Sequence, residues 1–365
     1  MKTALVYDRV NKWGGAERVL LSLHEIFPDA PLYTAVYDAK KAGWAKVFPK
    51  VIPSFLQKIP FAKGNHEFLG TFTPLAFESF DLSEYDLVIS VTSEAAKGVI
   101  TRPSSLHICY CLTPTRYLWS GHDFYFKHPG KLNKIPYFRY LSRPFVSYAR
   151  NWDMVAASRP DIYIAISTAV KERIRKYYDR DAKVIYPPVD TEMFVPKGRV
   201  KKGNFYLLVS RLIPYKRVDL AIKAFNRLGL PLLIVGSGSE EAGLKRMAKR
   251  NIKFMGEMTD KKLADYYRKC TALIFPQEED FGIVAVEAQA SGTPVIAFKA
   301  GGALDTVIPG KTGIFFTKQT SSSLFSAVRK FQSLRFDIGQ LRKSAERFSK
   351  ERFKKEFLET VNNYF

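Results

Sequence analysis

The residues with the clearest chemical potential are two carboxylates, Glu279 and Glu287, with seven residues between them. An apolar stretch before them predicts a strand, and the segment from Ile283 onwards predicts a helix. Between the carboxylates, Gly282 lets the backbone approach a ligand closely, and the amides at the helix start favour an anion. Since a carboxylate accepts hydrogen bonds from two adjacent hydroxyls, the pattern predicts a site for a sugar or nucleotide sugar. The alternative is a solvated acidic loop followed by an ordinary helical glutamate.

A second loop carries positive charge. Ser210 and Arg211 directly follow an apolar stretch that ends at Val209, and Lys216 stands five positions after Arg211. A planar guanidinium fork and a point-charge ammonium are together suited to a diphosphate. The alternative is that both groups are surface charges of a very basic protein.

Two glycine turns also follow predicted strands. Gly236-Ser237-Gly238 is compatible with a phosphate or a base lying against bare backbone, although Gly-x-Gly alone has low specificity. Gly14-Gly15 forms the first turn of the chain, and a simple tight turn is an equal alternative there.

Short apolar strands alternate with helical patterns in both halves of the chain, which predicts α/β domains built on parallel sheets with helices on both faces. In such sheets ligands bind at the carboxyl ends of strands, where all four turns would lie. A double proline near residue 187 separates the halves. The predicted domains are 1–190 and 191–345, followed by a helical segment at 346–365. The charged helical pattern itself starts at Ser344, and its apolar stripe is Phe348, Phe353, Phe357 and Val361. The predicted strands are 3–7, 87–91, 107–111, 162–166, 184–186, 205–209, 232–235, 252–254, 272–275 and 295–298.

Together these motifs resemble the family 4 glycosyltransferases of the GT-B architecture. The motifs that carry the resemblance are Gly14-Gly15-Ala16-Glu17-Arg18, Ser210-Arg211 with Lys216, Gly236-x-Gly238, and the run from Glu279 to Val295. Bacterial O-antigen mannosyltransferase-like enzymes are the most similar subgroup, through the run from Ser210 to Asp219 and through Thr113-Pro114-x-Arg116-Tyr117-x-Trp119.

The resemblance implies a GT-B fold: two Rossmann-like, doubly wound parallel-sheet domains facing a central cleft, with the C-terminal helix crossing back to the N-terminal domain. The N-terminal domain would take the acceptor, and the C-terminal domain would take the nucleotide-sugar donor.

The resemblance also implies an activity, the retaining transfer of a sugar from a nucleotide diphosphate donor without a metal or another cofactor. Arg211 and Lys216 would stabilise the charge on the leaving diphosphate. Glu279, which with Arg211 and Lys216 makes up the three predicted catalytic residues, would position the donor sugar, and Glu287 would hold the ribose. The remaining donor-binding positions are Gly14, Gly15, Ser210, Gly236, Gly238, and the amides of Phe281, Gly282 and Ile283.

By subgroup resemblance, GDP-mannose is the first candidate donor. The alternatives are a UDP-sugar-dependent transferase, a GT-B nucleotide-sugar-binding protein with reduced activity, and a nucleotide-sugar epimerase.

One position departs from the pattern of the family. Many relatives carry a histidine where this chain has Leu112, and leucine neither donates a hydrogen bond nor transfers a proton. Either His107 or another group substitutes, or the function of the position is lost. The favoured interpretation of His107 is a core histidine on a strand.

Two short patterns are interpreted as turns. Asp179-Arg180-Asp181 matches the Asp-x-Asp of metal-dependent glycosyltransferases but stands at a predicted helix end, and Gly310-Lys311-Thr312-Gly313 lacks the upstream glycine of a phosphate-binding loop.

The chain carries 57 basic and 35 acidic residues and a formal net charge of +22, which indicates an anionic partner. Residues 101–150 hold 8 basic residues, one acidic residue and many aromatics, a composition typical of an anionic membrane interface. Arg116, Tyr117 and Trp119 are the predicted acceptor or membrane side, which would meet a lipid-linked or glycan acceptor. The alternative is that these aromatics pack in the core. A nucleic-acid partner is a distant alternative, because no motif that reads DNA or RNA is present.

Three cysteines cannot form a disulfide framework, and no apolar stretch approaches the length of a membrane span. We therefore expect a cytoplasmic protein, peripheral at the inner face of the cell membrane.

Overall fold

The computed structural model describes residues 1–59, 72–123, 143–195 and 201–365, which form two compact units. The first unit comprises Met1–Tyr186 and Lys354–Phe365, and the second comprises Pro187–Phe353.

The first unit is built on a parallel sheet of seven strands among the described residues, in the order β3-β2-β1-β4-β5-β6-β7. Its central strands β1 and β4 pair in register from Thr3↔Leu87 to Tyr7↔Val91 and are buried throughout, because helices cover both faces of such a sheet. The strands are β1 Thr3–Tyr7, β2 Leu32–Thr34, β3 Val51–Pro53, β4 Leu87–Thr92, β5 Leu106–Cys111, β6 Ile162–Ala165 and β7 Lys183–Val184. The helices are α1 Gly15–Ile26, α2 Thr73–Glu78, α3 Arg143–Ala157 and α4 Thr168–Tyr178, with 3₁₀ turns at Gly43–Val47, Phe55–Lys58 and Ala96–Gly98.

The second unit repeats this plan, and its described residues form six parallel strands in the order β10-β9-β8-β11-β12-β13. The strands are β8 Tyr206–Val209, β9 Leu232–Val235, β10 Ile252–Phe254, β11 Leu273–Phe275, β12 Val295–Phe298 and β13 Gly313–Phe316. The helices are α5 Thr191–Phe194, α6 Val218–Leu228, α7 Glu241–Met247, α8 Asp260–Lys269, α9 Ile283–Ala290, α10 Ala303–Thr306, α11 Ser321–Phe331 and α12 Ile338–Glu346, and one 3₁₀ turn spans Pro214–Lys216. In each unit the strand order turns back beside the first strand, which is the topology of a dinucleotide-binding fold.

Local sequence explains where several helices begin and end. The side chain of Ser167 accepts from the Val170 amide at the start of α4, and Thr259 does the same for the Lys262 amide at the start of α8. Helix α6 ends at Gly229, whose φ of 69° is the left-handed conformation that closes a helix.

The last helix differs from its prediction. It begins at Lys350, not at Ser344, and the chain segment before it forms the separate helix α12. We label it α13 (Lys350–Asn362). The side chain of Ser349 accepts from the Arg352 amide, which starts a new helix at this point. Phe348 therefore lies outside the helix, with its ring 5.4 Å from that of Phe281.

The end of α13 joins the first unit. The Phe357 ring lies 6.5 Å from the rings of both Phe27 and Tyr110, and Lys183 Nζ donates to Thr360 Oγ1 over 2.9 Å. The residues after 353 thus complete the core of a unit whose other residues precede position 187.

Candidate functional site

The candidate site lies at the carboxyl ends of β8 and β11, which are neighbours in the second sheet. Because parallel strands end at the same edge, the loop after β8 meets the loop after β11. The meeting point is an ion pair between the Lys216 ammonium and the Glu279 carboxylate. The Lys216 side chain is 7% exposed and that of Glu279 is 23% exposed, so the pair is only partly shielded from water. Two of the three predicted catalytic residues are therefore in contact.

The loop after β8 places its charges through a tight turn. The Lys216 amide donates to Ile213 O within the 3₁₀ turn, and Arg217 then adopts a left-handed φ of 53° before α6 begins. Lys216 Nζ lies 4.8 Å from the centre of the Tyr215 ring, close enough for a cation–π contact.

Arg211, the third predicted catalytic residue, is exposed and donates to Tyr215 Oη over 2.8 Å. Tyr215 thus touches both cations of the loop. Sequence reasoning did not select Tyr215, although its position between Arg211 and Lys216 was a usable signal.

The loop after β11 holds Glu279 from two sides. Gln277 Nε2 donates to Glu279 Oε1 over 3.3 Å, and the Gly302 amide donates to the Glu279 carbonyl over 2.8 Å. Gln277 is buried and was not predicted as a site residue. Gly301 has a φ of 59°, and a Cβ there would stand 2.2 Å from Glu279 O, so only glycine fits against this loop.

The start of α9 provides the predicted anion site. Gly282 precedes the helix with a φ of 90°, and a Cβ on it would stand 2.7 Å from Phe275 Cζ. The amides in the first turn of a helix have no partner within the helix, so those near Gly282 and Ile283 suit an anion or a carbonyl. The Phe281 side chain is buried, and only its backbone is a candidate for ligand contact.

Glu287 lies one turn further along α9 and is buried. The hydroxyl of Tyr267, itself fully buried on α8, donates to Glu287 Oε2 over 3.0 Å. The carboxylate is therefore held by its own fold and is not a solvated helical glutamate. Tyr267 was not predicted, because the two residues lie 20 positions apart on separate helices.

The glycines of the Gly236-x-Gly238 turn have a packing role. A Cβ on Gly236 would stand 1.9 Å from Ser210 O, and one on Gly238 would stand 2.3 Å from Leu212 O. The two loops are also joined by hydrogen bonds, since the Ser210 amide donates to Val235 O and the Leu212 amide to Ser237 O. This packing requires glycine at both positions, and a role in donor binding stays a prediction for them. The Ser210 hydroxyl donates to the carbonyl of Arg211.

Gly14 and Gly15 belong to the first unit, at the turn from β1 into α1. A Cβ on Gly14 would stand 3.1 Å from Glu17 Oε2, and Glu17 is buried with Tyr7 Oη at 2.7 Å from its Oε1. The turn therefore covers a buried carboxylate. A role in donor binding stays a prediction for both glycines.

The predicted acceptor-side residues do not share one environment. Tyr117 is 38% exposed and Arg116 is half-buried, both in the loop after β5. The indole of Trp119 instead donates to Asp153 Oδ2 over 2.7 Å and stacks on the Tyr177 ring. The indole NH of Trp119 is thus bonded within the unit, and an acceptor or membrane role stays a prediction for all three residues. Of the other aromatics in the 101–150 window, Phe124, Tyr125, Phe126, Tyr137, Phe138 and Tyr140 lie outside the described residues.

His107 is a core residue on β5, in agreement with the favoured interpretation. Its Nε2 lies 2.9 Å from Ser90 Oγ, and burial, with a smaller effect of the Arg159 charge, lowers its pKa to about 3. It stays neutral at physiological pH and does not replace a histidine at Leu112. Leu112 is half-buried directly after β5.

The two short patterns are turns. Asp179 closes α4 with a left-handed φ of 51°, and Asp181 pairs with Lys171 at 3.2 Å. The Gly310 amide donates to Gly313 O, which folds that segment back before β13. In the part of the chain that the structure describes, no three His, Cys, Asp or Glu side chains come together as metal ligands, and no helix has both the length and the apolar character of a membrane span. All three cysteines are free and buried.

Residues 189–355 match the family model of glycosyl transferases group 1. An uncharacterised glycosyltransferase of Methanocaldococcus jannaschii is 29% identical over 204 residues, covering 54% of this chain and 56% of that protein. A D-inositol 3-phosphate glycosyltransferase of Mycobacteroides abscessus is 35% identical over 152 residues, covering 36% of this chain and 34% of that protein. The chain thus spans about half the length, or less, of the curated relatives that it matches. The match to the family model covers less than half of the chain.

The solved structures extend the likeness to the whole chain. The Anabaena protein HepE, crystallised with UDP, superposes with a TM-score of 0.72 over 100% of both chains at 20% identity. The same protein has also been crystallised with UDP-glucose. The predicted GT-B fold is confirmed, with two Rossmann-like parallel-sheet units.

Proposed function

We propose that this protein is a glycosyltransferase that moves a sugar from a nucleotide diphosphate donor to an acceptor hydroxyl. The observation that carries the proposal is the Lys216–Glu279 pair, a cation and a carboxylate held together at the carboxyl ends of neighbouring strands. This is where ligands bind in open parallel sheets. The pair lies inside the segment that matches glycosyl transferases group 1.

In this proposal the cations of the loop after β8 act on the diphosphate. An ammonium has three protons to donate, so Lys216 can keep one on Glu279 and place another on a phosphate oxygen. Arg211 is exposed near the same turn and adds a planar fork for the second phosphate. Both charges would stabilise the leaving diphosphate more strongly than the bound donor, and this difference lowers the barrier.

The carboxylates would act on hydroxyls. Glu279, held by Lys216 and Gln277, would orient the donor sugar beside the amides at the start of α9. Glu287, held by Tyr267, would accept from the ribose diol. Tyr267 fixes one oxygen of this carboxylate.

We infer a retaining, front-face reaction without a metal. The bond between the anomeric carbon and the diphosphate oxygen breaks, the acceptor oxygen bonds to that carbon from the same face, and the acceptor proton passes to the leaving diphosphate. A double displacement would need a carboxylate on the opposite face of the sugar. The family resemblance supports the front-face choice.

GDP-mannose remains the first candidate donor on subgroup resemblance. UDP-sugars are the second, and the UDP and UDP-glucose bound by HepE favour them. For the acceptor we propose a lipid-linked or polysaccharide glycan at the inner face of the cell membrane, which the net charge of +22 supports.

A panel of GDP, UDP and ADP, each with and without its sugar, tests the proposal by thermal shift. We expect at least one nucleotide to raise Tm, and Glu287→Ala to abolish most of the shift. Glu346→Ala, at an exposed position on α12, is the matched control and should leave the shift unchanged. No shift with any member of the panel would refute the proposal.

Product analysis separates the alternatives. A transferase gives a new glycoside only when acceptor is present, and an epimerase changes the sugar without one. A protein with reduced activity binds the nucleotide but gives no product. A nucleic-acid-binding protein would instead bind oligonucleotides with a steep dependence on salt.

A further inference from the structure

Gln277 lies beside the Lys216–Glu279 pair and carries an amide oxygen that has no partner among the described residues. The residue is 1% exposed, and its Nε2 donates to Glu279 Oε1 over 3.3 Å. Because a carboxylate only accepts, the NH₂ group of the amide belongs on Glu279, and Oε1 is left on the other side. In the described part of the chain no group donates to this buried oxygen. A buried acceptor without a partner is costly, so this atom calls for an explanation.

A second glutamine shows that such an oxygen does not by itself make a ligand site. Gln289 on α9 is fully buried, and its Oε1 also finds no donor among the described residues. Its Nε2, however, donates to the main-chain carbonyl of Thr306 over 2.8 Å, which places the amide between α9 and α10. Gln277 instead binds a carboxylate that is partly open to solvent, so a ligand held by Glu279 lies next to the Gln277 amide.

The Glu279 carboxylate has one oxygen that is occupied and one that can still accept. Its Oε1 accepts from both Lys216 Nζ and Gln277 Nε2. Within the described ranges no donor contacts its Oε2. A carboxylate oxygen and an amide oxygen, on two side chains in direct contact, are therefore both able to accept from a ligand. Two hydroxyls on neighbouring carbons of one sugar ring match this pair of acceptors.

The main chain next to Gln277 is fixed to two neighbouring loops. Gln319, in the loop after β13, donates from Nε2 to Pro276 O over 3.0 Å and accepts from Arg217 Nη1 over 3.1 Å. Arg217 ends the turn that places the cations of the loop after β8. With its main chain held, Gln277 can still turn its amide about the last side-chain torsion, whose energy profile is broad. The 3.3 Å bond from the amide is long for an N–H···O bond, so this turn toward a ligand costs little.

We propose that Gln277 is a specificity-determining residue for the donor, and that its Oε1 accepts a hydrogen bond from one hydroxyl of the donor sugar. Glu279 Oε2 accepts from the hydroxyl on the neighbouring carbon. A sugar that lacks the hydroxyl matched to Gln277 is rejected, because it leaves the buried oxygen without a partner. The inference rests on the proposed function and names what that site selects, a nucleotide sugar with both hydroxyls in preference to its deoxy or fluorinated analogues.

Calorimetric titration of the full chain with UDP-glucose and GDP-mannose tests the inference. Each donor is compared with analogues in which fluorine replaces one hydroxyl at a time, since fluorine is similar in size and has no proton to donate. For the donor that binds, we expect fluorine at two neighbouring carbons to weaken binding at least about fivefold, because each leaves one acceptor of the site unpaired.

Gln277→Met keeps the volume of the side chain and removes the amide. We expect this variant to bind the donor at least about fivefold more weakly and to lose the discrimination at only one of the two carbons. It should bind the nucleotide alone within about twofold of the parent. In the ligand-free chain its Tm should not fall, because an unpaired buried acceptor has been removed. Gln289→Met, the same change at the other buried glutamine, is the matched control and should keep the parent's discrimination.

Circular dichroism should show all variants folded. If Gln277→Met does not fold, Gln277→Asn, whose amide is withdrawn by one methylene, should show the same loss of discrimination. The inference is overturned if the parent binds both donors and all their analogues equally, or if the Gln277 variant keeps the parent's discrimination. An equal loss of nucleotide and nucleotide sugar in that variant also overturns it and makes Gln277 a support of the loop. These results leave the proposed function intact, whereas a parent that binds no nucleotide and no donor refutes both.

Discussion

Two lysine–carboxylate pairs, one in each unit, are alike in chemistry and different in setting. Lys97 and Asp153 in the first unit are 2% and 1% exposed in their side chains, with Nζ 2.6 Å from Oδ1. Lys216 and Glu279 in the second are 7% and 23% exposed. The carboxylate of the first pair is therefore closed to solvent, and that of the second is not.

The surrounding hydrogen bonds increase the difference. Asp153 also accepts from Thr115 Oγ1, Trp119 Nε1 and Tyr178 Oη, at 2.7 to 2.8 Å. A carboxylate has about four acceptor directions, so these bonds with Lys97 saturate it. Although burial opposes its charged form, Asp153 raises the pKa of Lys97 above its usual value. A saturated, buried pair fixes structure, whereas a partly solvated pair at strand ends keeps capacity for a ligand.

The largest effect should come from breaking the buried pair. Asp153→Ala leaves the Lys97 charge uncompensated in the core, and we expect a loss of about 3–5 kcal/mol in the free energy of unfolding. Denaturant titration measures it. Lys97→Met/Asp153→Ala should recover a large part of the loss, because no lone charge remains. Asp265→Ala, at a 59% exposed side chain paired with Arg268, is the control and should be nearly neutral.

Next in size is the loss of Lys216. We expect Lys216→Ala to lower kcat by about 10²–10³, as for removal of one charge-stabilising group, with little change in Tm. Steady-state kinetics with the donor from the nucleotide panel measures it. Lys223→Ala, an exposed lysine paired with Asp219, should keep full activity. If Lys216→Ala lowered Tm as much as Asp153→Ala, the Lys216–Glu279 pair would be a structural pair like Lys97–Asp153.

Acid should weaken the first unit through His107. Its pKa is about 3 when folded and about 6.5 when unfolded, so below pH 6.5 the unfolded chain binds a proton that the folded chain does not. The contribution of the neutral, buried His107 to the free energy of unfolding is therefore complete above pH 6.5. It is lost as the pH falls toward 3, by at most about 1.4 kcal/mol per pH unit. His107→Gln should flatten that slope in denaturant titrations from pH 7 to 4. Parallel slopes for the two proteins would exclude His107 as the cause.

The smallest effect should come from Tyr267. Removing the hydroxyl that holds Glu287 costs about 1 kcal/mol, so Tyr267→Phe should weaken nucleotide binding about fivefold. Calorimetric titration measures it, and Tyr266→Phe on the same helix is the control. If stability changes but affinity does not, Glu287 resembles Asp153 more than Glu279.

Sequence reasoning selected the residues of the candidate site in the second unit because local patterns define them. Lys216 and Glu279 each lie in a charged loop that follows an apolar strand, which is a pattern visible in the sequence. The parallel topology then brings the ends of the two strands together. The same logic could not find Asp153, which lies 34 positions from Trp119 and is joined to it only by tertiary contact. It also could not show that Gly236 and Gly238 pack against the loop after β8, because a glycine required by a neighbouring loop and one required by a ligand look the same in a sequence.

Fold prediction shows a similar limit. The long central strands were found, whereas the three-residue strands β2 and β3 were not. Three residues show no periodicity of their own, and the equally short β10 was found only because it follows a predicted helix in the regular strand-helix alternation of the second half. The break at Ser349 was missed because serine is tolerated inside a charged helix as well as at its start.

The path of α13 bears on the order in which the protein folds as it is made. The core of the first unit includes Phe357 and Val361, which leave the ribosome only after all of the second unit has been synthesised. Domains generally fold as their chains emerge, N-terminal first. In this protein the whole second unit is synthesised before the last residues of the first unit. The core of the first unit is therefore completed only after α13 has been made.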